Sequence, residues 1–138
     1  MIYQPKHFRV EEFVSSTFFA KYGARSIMAL DDRMIKTADV IREYFGKPVQ
    51  INTWASGGDR RWSGLRDPSC TIGAGNSQHR YGRALDMLIE GIPAAEVRAE
   101  ILANQECFIY ITRMEDRVSW LHIDCAPINH AGIYLFRQ

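Results

Sequence analysis

The chain predicts an α+β fold with a mostly antiparallel sheet and flanking helices, on three observations. One long stretch carries apolar residues at helical spacing, several shorter stretches alternate with a period of two, and the candidate strands cluster with the helices set to one side.

A polar arm opens the chain, and His7-Phe8-Arg9 leads into a short helix over residues 10–15. A longer helix is expected over 29–45, where Leu30, Met34, Ala38, Ile41 and Phe45 recur on one face and Gly46-Lys47-Pro48 ends it. Its apolar stripe reads as core. Residues 49–53 read as a strand, and 55–76 as a long loop whose Gly, Ser and Asp content resists regular structure. Ordering so long a loop without burial is costly in entropy, so a compact domain that keeps one is expected to use it. The stretch 83–89 is a strand with Ala84, Asp86 and Leu88 on one face and Leu85, Met87 and Ile89 on the other. Ile92-Pro93 opens a helix to about residue 104, with Val97 and Ile101 inward. A hairpin follows, 107–113 against 118–125, in which Trp120, His122 and Asp124 share a face, and a last strand lies near 133–136.

With 138 residues and 46% hydrophobic content, residues 1–138 suit one domain with a real core and leave no room for a second. Seventeen Lys and Arg against sixteen Asp and Glu leave a net charge of +1, without the concentrated basic surface that phosphate binding needs, so no nucleic-acid partner is expected. There is no polybasic attraction to a membrane and no apolar run near the ~20 residues of a spanning helix. Met1-Ile2-Tyr3-Gln4-Pro5-Lys6 lacks the apolar centre of a signal peptide, so cytoplasmic synthesis of a soluble, monomeric product is expected. Cys70, Cys107 and Cys125 are an odd, widely spaced set and are expected to be reduced, with Cys107 and Cys125 packed as small hydrophobes in strand-like runs.

Two runs carry chemistry. In Ser77-Gln78-His79-Arg80-Tyr81-Gly82-Arg83-Ala84-Leu85-Asp86 a histidine and a carboxylate bracket a glycine turn, and Trp120-Leu121-His122-Ile123-Asp124 supplies a second pair. Two imidazoles and one carboxylate suit a catalytic zinc, because three protein ligands leave a fourth position for a water that the metal acidifies to about pH 7. Asp86 and His122 converge if their strands are neighbours, with His79 arriving from the loop.

The first run matches S-x-H-x-x-G-x-A-x-D, and with the later W-x-H-x-D it resembles the zinc D-Ala-D-Ala peptidase family, whose fold is shared with the Hedgehog signalling domain. The resemblance implies Zn2+ held by His79, Asp86 and His122. The helix before Pro48 and Ser56-Gly57 followed by Arg60 and Arg61 resemble the family's upstream helix, strand and S-G-x-R loop, with Gly58-Asp59 inserted before the arginines. That family also uses an acidic general base. One version places it three residues before the last histidine, where this chain has Ser119; a Hedgehog-type hairpin places it at the end of the preceding strand. Glu115 fits the second version, with Asp116 in reserve, and Asp124 either orients a ligand or caps the strand end. Arg60, Arg61 and Arg66, with Asp59 and Asp67, read as a solvated polar face, whereas the resemblance makes one of the arginines a clamp for a substrate carboxylate or oxyanion. Trp54 and Trp62 are candidates for lining a cleft.

The implied function is hydrolysis of D-amino-acid-containing bonds in bacterial peptidoglycan peptide, by a phage or prophage product of endolysin type. The competing expectation is a zinc-stabilised structural or binding module, for instance of a virion, that keeps the fold without turnover.

Overall fold

The computed structural model describes residues 2–138. It holds three α-helices, α1 (Ser16–Tyr22), α2 (Asp32–Phe45) and α3 (Ala94–Ala103), and five strands, β1 (Val49–Gln50), β2 (Ala84–Ile89), β3 (Arg113–Glu115), β4 (Leu121–Asp124) and β5 (Tyr134–Phe136).

Helix α2 starts three residues later than its apolar stripe suggests because Asp31 stays extended and its carboxylate accepts from the Arg33 amide at 2.9 Å, capping the helix. Gly46, at φ 64°, ends it in the left-handed region, its amide on the Arg42 carbonyl. Met34, Ile35, Ala38 and Ile41 are buried along the inward face. The short helix expected at 10–15 is a single turn, Val10–Glu12, and the helical segment comes after it. Ser15 caps α1 by accepting from Phe18 N, and Gly23, at φ 58°, closes it.

The strands lie in the order β1-β2-β4-β3-β5. Pairs β1–β2, β2–β4 and β4–β3 are antiparallel, but β5 runs parallel to β3, so the sheet is mixed and not antiparallel throughout. Connectivity explains the exception. The chain leaves β4 at the end of the sheet where β3 begins, passes over β3 to the outer edge, and must therefore run in the direction of β3. The expected strand over 107–113 is also corrected: only Arg113–Glu115 pairs, after a single turn Gln105–Cys107. Phe108 and Ile111 are buried while Ile109 is exposed, a spacing of three that belongs to consecutive turns rather than to a pleat. Cys107 is exposed as a result, whereas Cys70 and Cys125 are buried, and all three thiols are free. The strand at 49–53 shortens to Val49–Gln50 because the Asn52 and Thr53 amides turn to Glu12 and Arg60.

One face of the sheet presents Leu85, Met87, Ile89, Met114, Leu121 and Ile123, all buried in one cluster with Ile35, Ala38 and Ile41 of α2 and Val97 and Ile101 of α3. The pleat therefore sends Asp86, His122, Asp124, Arg113 and Glu115 to the opposite face. The long loop covers that face instead of trailing in solvent. Asp86 N donates to Ser63 O at 2.7 Å, Leu65 N to Phe13 O at 2.8 Å, and Arg66 N to His79 O at 3.1 Å. Gly64 permits this approach, since a Cβ there would lie 2.1 Å from the Phe13 carbonyl oxygen. Asp67, expected on a solvated face, is buried and accepts from the hydroxyls of Ser15 and Ser69. Among the described residues no helix is long and apolar enough to cross a membrane.

Candidate metal centre

His79, Asp86 and His122 are buried and offer one ligand atom each within 4.8 Å of one another, a group that could hold a metal ion. Three elements converge to make it. Asp86 and His122 are cross-strand partners on β2 and β4, so the register alone brings them together. His79 sits in the single helical turn Gln78–Tyr81 that precedes β2, and Gly82, at φ 68°, reverses the chain between them. A Cβ at Gly82 would lie 2.1 Å from the Ala29 carbonyl oxygen, so glycine serves both the turn and the close packing there.

The hydrogen bonds decide which ring nitrogens are available. His79 Nδ1 lies 2.8 Å from the Gly64 carbonyl oxygen, which can only accept, so Nδ1 carries a proton and Nε2 is the ring nitrogen left to meet an ion. That Nε2 is buried without a hydrogen-bond partner, 3.1 Å from Asp86 Oδ1. His122 Nε2 lies 2.8 Å from Asp124 Oδ2 and its Nδ1 lies 2.9 Å from the same Asp86 Oδ1. With the His122 proton donated to Asp124, two imidazole lone pairs face one carboxylate oxygen. Such a trio repels unless a cation stands among the three atoms. Donors 2.0–2.1 Å from a tetrahedral zinc sit roughly 3.3 Å apart, close to the two separations found here.

Where no ion stands there, the neighbouring carboxylates favour a proton on His122. Burial pulls the His122 imidazole down, but the carboxylates of Asp124 and Asp86 outweigh it and push the pKa up to about 9. Burial likewise opposes ionisation of Asp86, yet His79 and His122 hold its carboxyl well below the usual range. Asp124 is fully buried; burial again opposes the charge, and His122 and Arg113 keep it ionised.

Glu115 is buried at the end of β3. The β3–β4 register pairs Arg113 with Asp124 and Met114 with Ile123, and one further step sets Glu115 opposite His122, in line with Asp86 across the sheet. Asp116 is directed elsewhere, 4.0 Å from Arg98 and 3.7 Å from Arg137. Ser119 is exposed in the turn before β4.

The three loop arginines separate. Arg66 places Nη2 3.3 Å from Asp86 Oδ2, the carboxylate oxygen turned away from the histidines. Arg60 is half-buried, its Nε on the Ile51 carbonyl at 2.9 Å and its Nη2 on Ser63 Oγ at 2.9 Å. Arg61 is exposed. All three border an open cleft of about 280 Å³ that Asp86, Trp62 and Trp120 also line. Trp54 is elsewhere: its indole N–H donates to the Val14 carbonyl and its ring packs on Phe19.

Sequence reasoning missed the Gly64 carbonyl and Arg113 as supporting groups, and it named Arg66 without its partner Asp86. Nothing local marks the Gly64 carbonyl or Arg66 as partners of residues 15 and 20 positions away. Arg113 could have been found, because period two puts it on the face of Glu115. No protein-family model, curated protein or solved structure matches the chain.

Proposed function

We propose that this protein is a zinc-dependent peptidase that hydrolyses D-amino-acid-containing peptide bonds of bacterial peptidoglycan, as a carboxypeptidase or endopeptidase of phage or prophage origin. One observation carries the metal-dependent part: His79 Nε2 and His122 Nδ1 aim at a single buried oxygen of Asp86. Zinc is preferred to magnesium or calcium because two imidazoles among three donors suit a borderline ion, while the hard cations take oxygen ligands. Bound by these residues, the ion would supply Lewis acidity toward a carbonyl and lower the pKa of a water.

The chain's own residues do the rest. Gly64 O and Asp124 fix the tautomers of the two rings, and Arg66 holds the outer oxygen of Asp86 so that the inner one faces the histidines. Glu115, in line with His122, is the general base that takes a proton from water and returns it to the leaving amine. Arg60 is bound to backbone and Ser63, which assigns it to shaping the cleft wall. Arg61, on the same cleft, is the free cation for a substrate carboxylate or oxyanion. The choice of wall peptide rests on the S-x-H-x-x-G-x-A-x-D and W-x-H-x-D runs and their likeness to zinc D-Ala-D-Ala peptidases.

Mass analysis of purified peptidoglycan fragments, before and after incubation with zinc-loaded protein, tests the reading. Loss of a terminal D-Ala or scission of a cross-link is expected. Protein that holds one zinc and leaves every wall peptide intact would replace the enzyme with a metal-stabilised module.

A further inference from the structure

Behind His122 lies a closed circuit of side chains. Arg113 donates to Asp124 through a fork: Nε lies 2.9 Å from Oδ1 and 3.2 Å from Oδ2, and Nη2 lies 2.8 Å from Oδ2. Asp124 Oδ1 also accepts from Ala126 N at 3.2 Å, and Oδ2 meets His122 Nε2 at 2.8 Å. The guanidinium lies 4.3 Å over the Phe136 ring, and Phe136 in turn meets the His122 ring edge-on at 5.4 Å. Sheet register imposes the arrangement, since Arg113 pairs with Asp124 on one side and with Tyr134 on the other, while Glu115 pairs with Phe136.

We infer that Arg113 is a positioning residue for the metal centre, acting through Asp124 to present His122 Nδ1 toward Asp86. The inference rests on the metal-binding reading above and not on peptidase activity. Asp124 is fully buried, and a carboxylate there with only an imidazole and one amide would be free to turn about its last torsion. The fork removes that freedom. Both oxygens accept from the guanidinium, and Oδ2 also meets His122 Nε2. A proton held on Nε2 leaves Nδ1 bare for the ion. Phe136 touches both groups, its face against the guanidinium and edge-on contact with the imidazole, which packs the two together. Lysine would keep the charge and lose the fork, which makes Lys at 113 a discriminating substitution.

The test compares zinc affinity at fixed pH, by competition with a chromophoric chelator, for wild type, Arg113→Lys, Arg113→Ala and Phe136→Leu. Arg137→Ala is the control, because that exposed arginine pairs, among the described residues, with Asp116 alone, at 3.7 Å. Thermal melting of each metal-free protein and the visible spectrum of its cobalt(II) form are recorded in parallel. Arg113→Ala should weaken zinc about 10- to 100-fold, the range seen when such outer partners are removed. Arg113→Lys should retain the metal-free melting temperature of the control, lose about tenfold in affinity, and show an altered cobalt spectrum. Phe136→Leu should weaken zinc less than Arg113→Ala. If Arg113→Lys and Arg113→Ala bind zinc as tightly as wild type, or if only the metal-free melting temperature falls, Arg113 is a structural ion pair and the inference fails. Failure of wild type itself to bind zinc would instead overturn the metal site on which the inference stands.

Discussion

His79 and His122 present different ring nitrogens, Nε2 and Nδ1, to the same oxygen of Asp86, and each ring is fixed by an acceptor on its far side. Removing either imidazole therefore deletes a donor that no neighbour can replace. His79→Ala and His122→Ala should each lose tight zinc binding, whereas wild type should retain one equivalent after gel filtration; elemental analysis measures both. A His122→Ala protein that still carried one equivalent would overturn the ligand set. Glu115 belongs to a different test. Gln at this position keeps shape and hydrogen-bonding capacity but cannot accept a proton, so Glu115→Gln should keep its zinc and lose about 10²-fold or more in turnover of wall peptide. Asp116→Asn is the paired control, because Asp116 is engaged with Arg98 and Arg137. Full activity in Glu115→Gln with loss in Asp116→Asn would move the role to Asp116.

At the scale of elements, the covering loop ties the metal site to the packing of residues outside the sheet. Gly64 lies against the Phe13 backbone and its carbonyl orients His79. Gly64→Ala should therefore lower both stability and zinc affinity, whereas Gly75→Ala, where an added Cβ meets nothing within 4 Å, should leave both unchanged. Melting curves and the chelator competition read the two effects. The same loop is pinned through Asp67. Burial opposes its charge, but the hydroxyls of Ser15 and Ser69 and backbone amides hold its carboxyl below the ordinary value of 3.8. A carboxyl depressed on folding contributes stability in full above that value, and the contribution is lost as pH falls from it through the lower folded value. Asp67→Asn should therefore be less stable than wild type at neutral pH, with the difference shrinking below about pH 4. A melting-temperature difference that stayed constant from pH 7 to pH 3 would remove Asp67 from the acid response.

For the whole molecule, the ion would join a loop residue to two central strands, so binding and folding should be linked. One site at a hundredfold excess over Kd adds about 2.7 kcal/mol, which for a chain of this size is roughly a 10 °C rise in melting temperature. A chelator should reverse it, and His122→Ala should show no rise. Titration of zinc against melting temperature measures the effect, and a flat response in wild type would mean that the site takes no zinc in the folded state.

Local sequence was enough for whatever depends on period and punctuation. The apolar stripe from Met34 to Ile41 with Gly46 after it specifies α2, and alternation from Ala84 to Ile89 specifies β2, because the 3.6 and 2.0 periods decide which side chains share a face. The residue types and spacing around His79, Asp86 and His122 are likewise local facts. The partners of that trio were decided only by tertiary structure. Register across β2, β4 and β3 sets Asp86, His122 and Glu115 in one row, and β5 takes its direction from the edge where it lands. Nothing in the sequence tells the partner of Arg66 from that of Arg113, yet one reaches Asp86 and the other Asp124. Covering the polar face of the sheet forces that division, since a buried carboxylate must find donors wherever the chain happens to pass, and the passing is set by the packing of residues far apart in sequence.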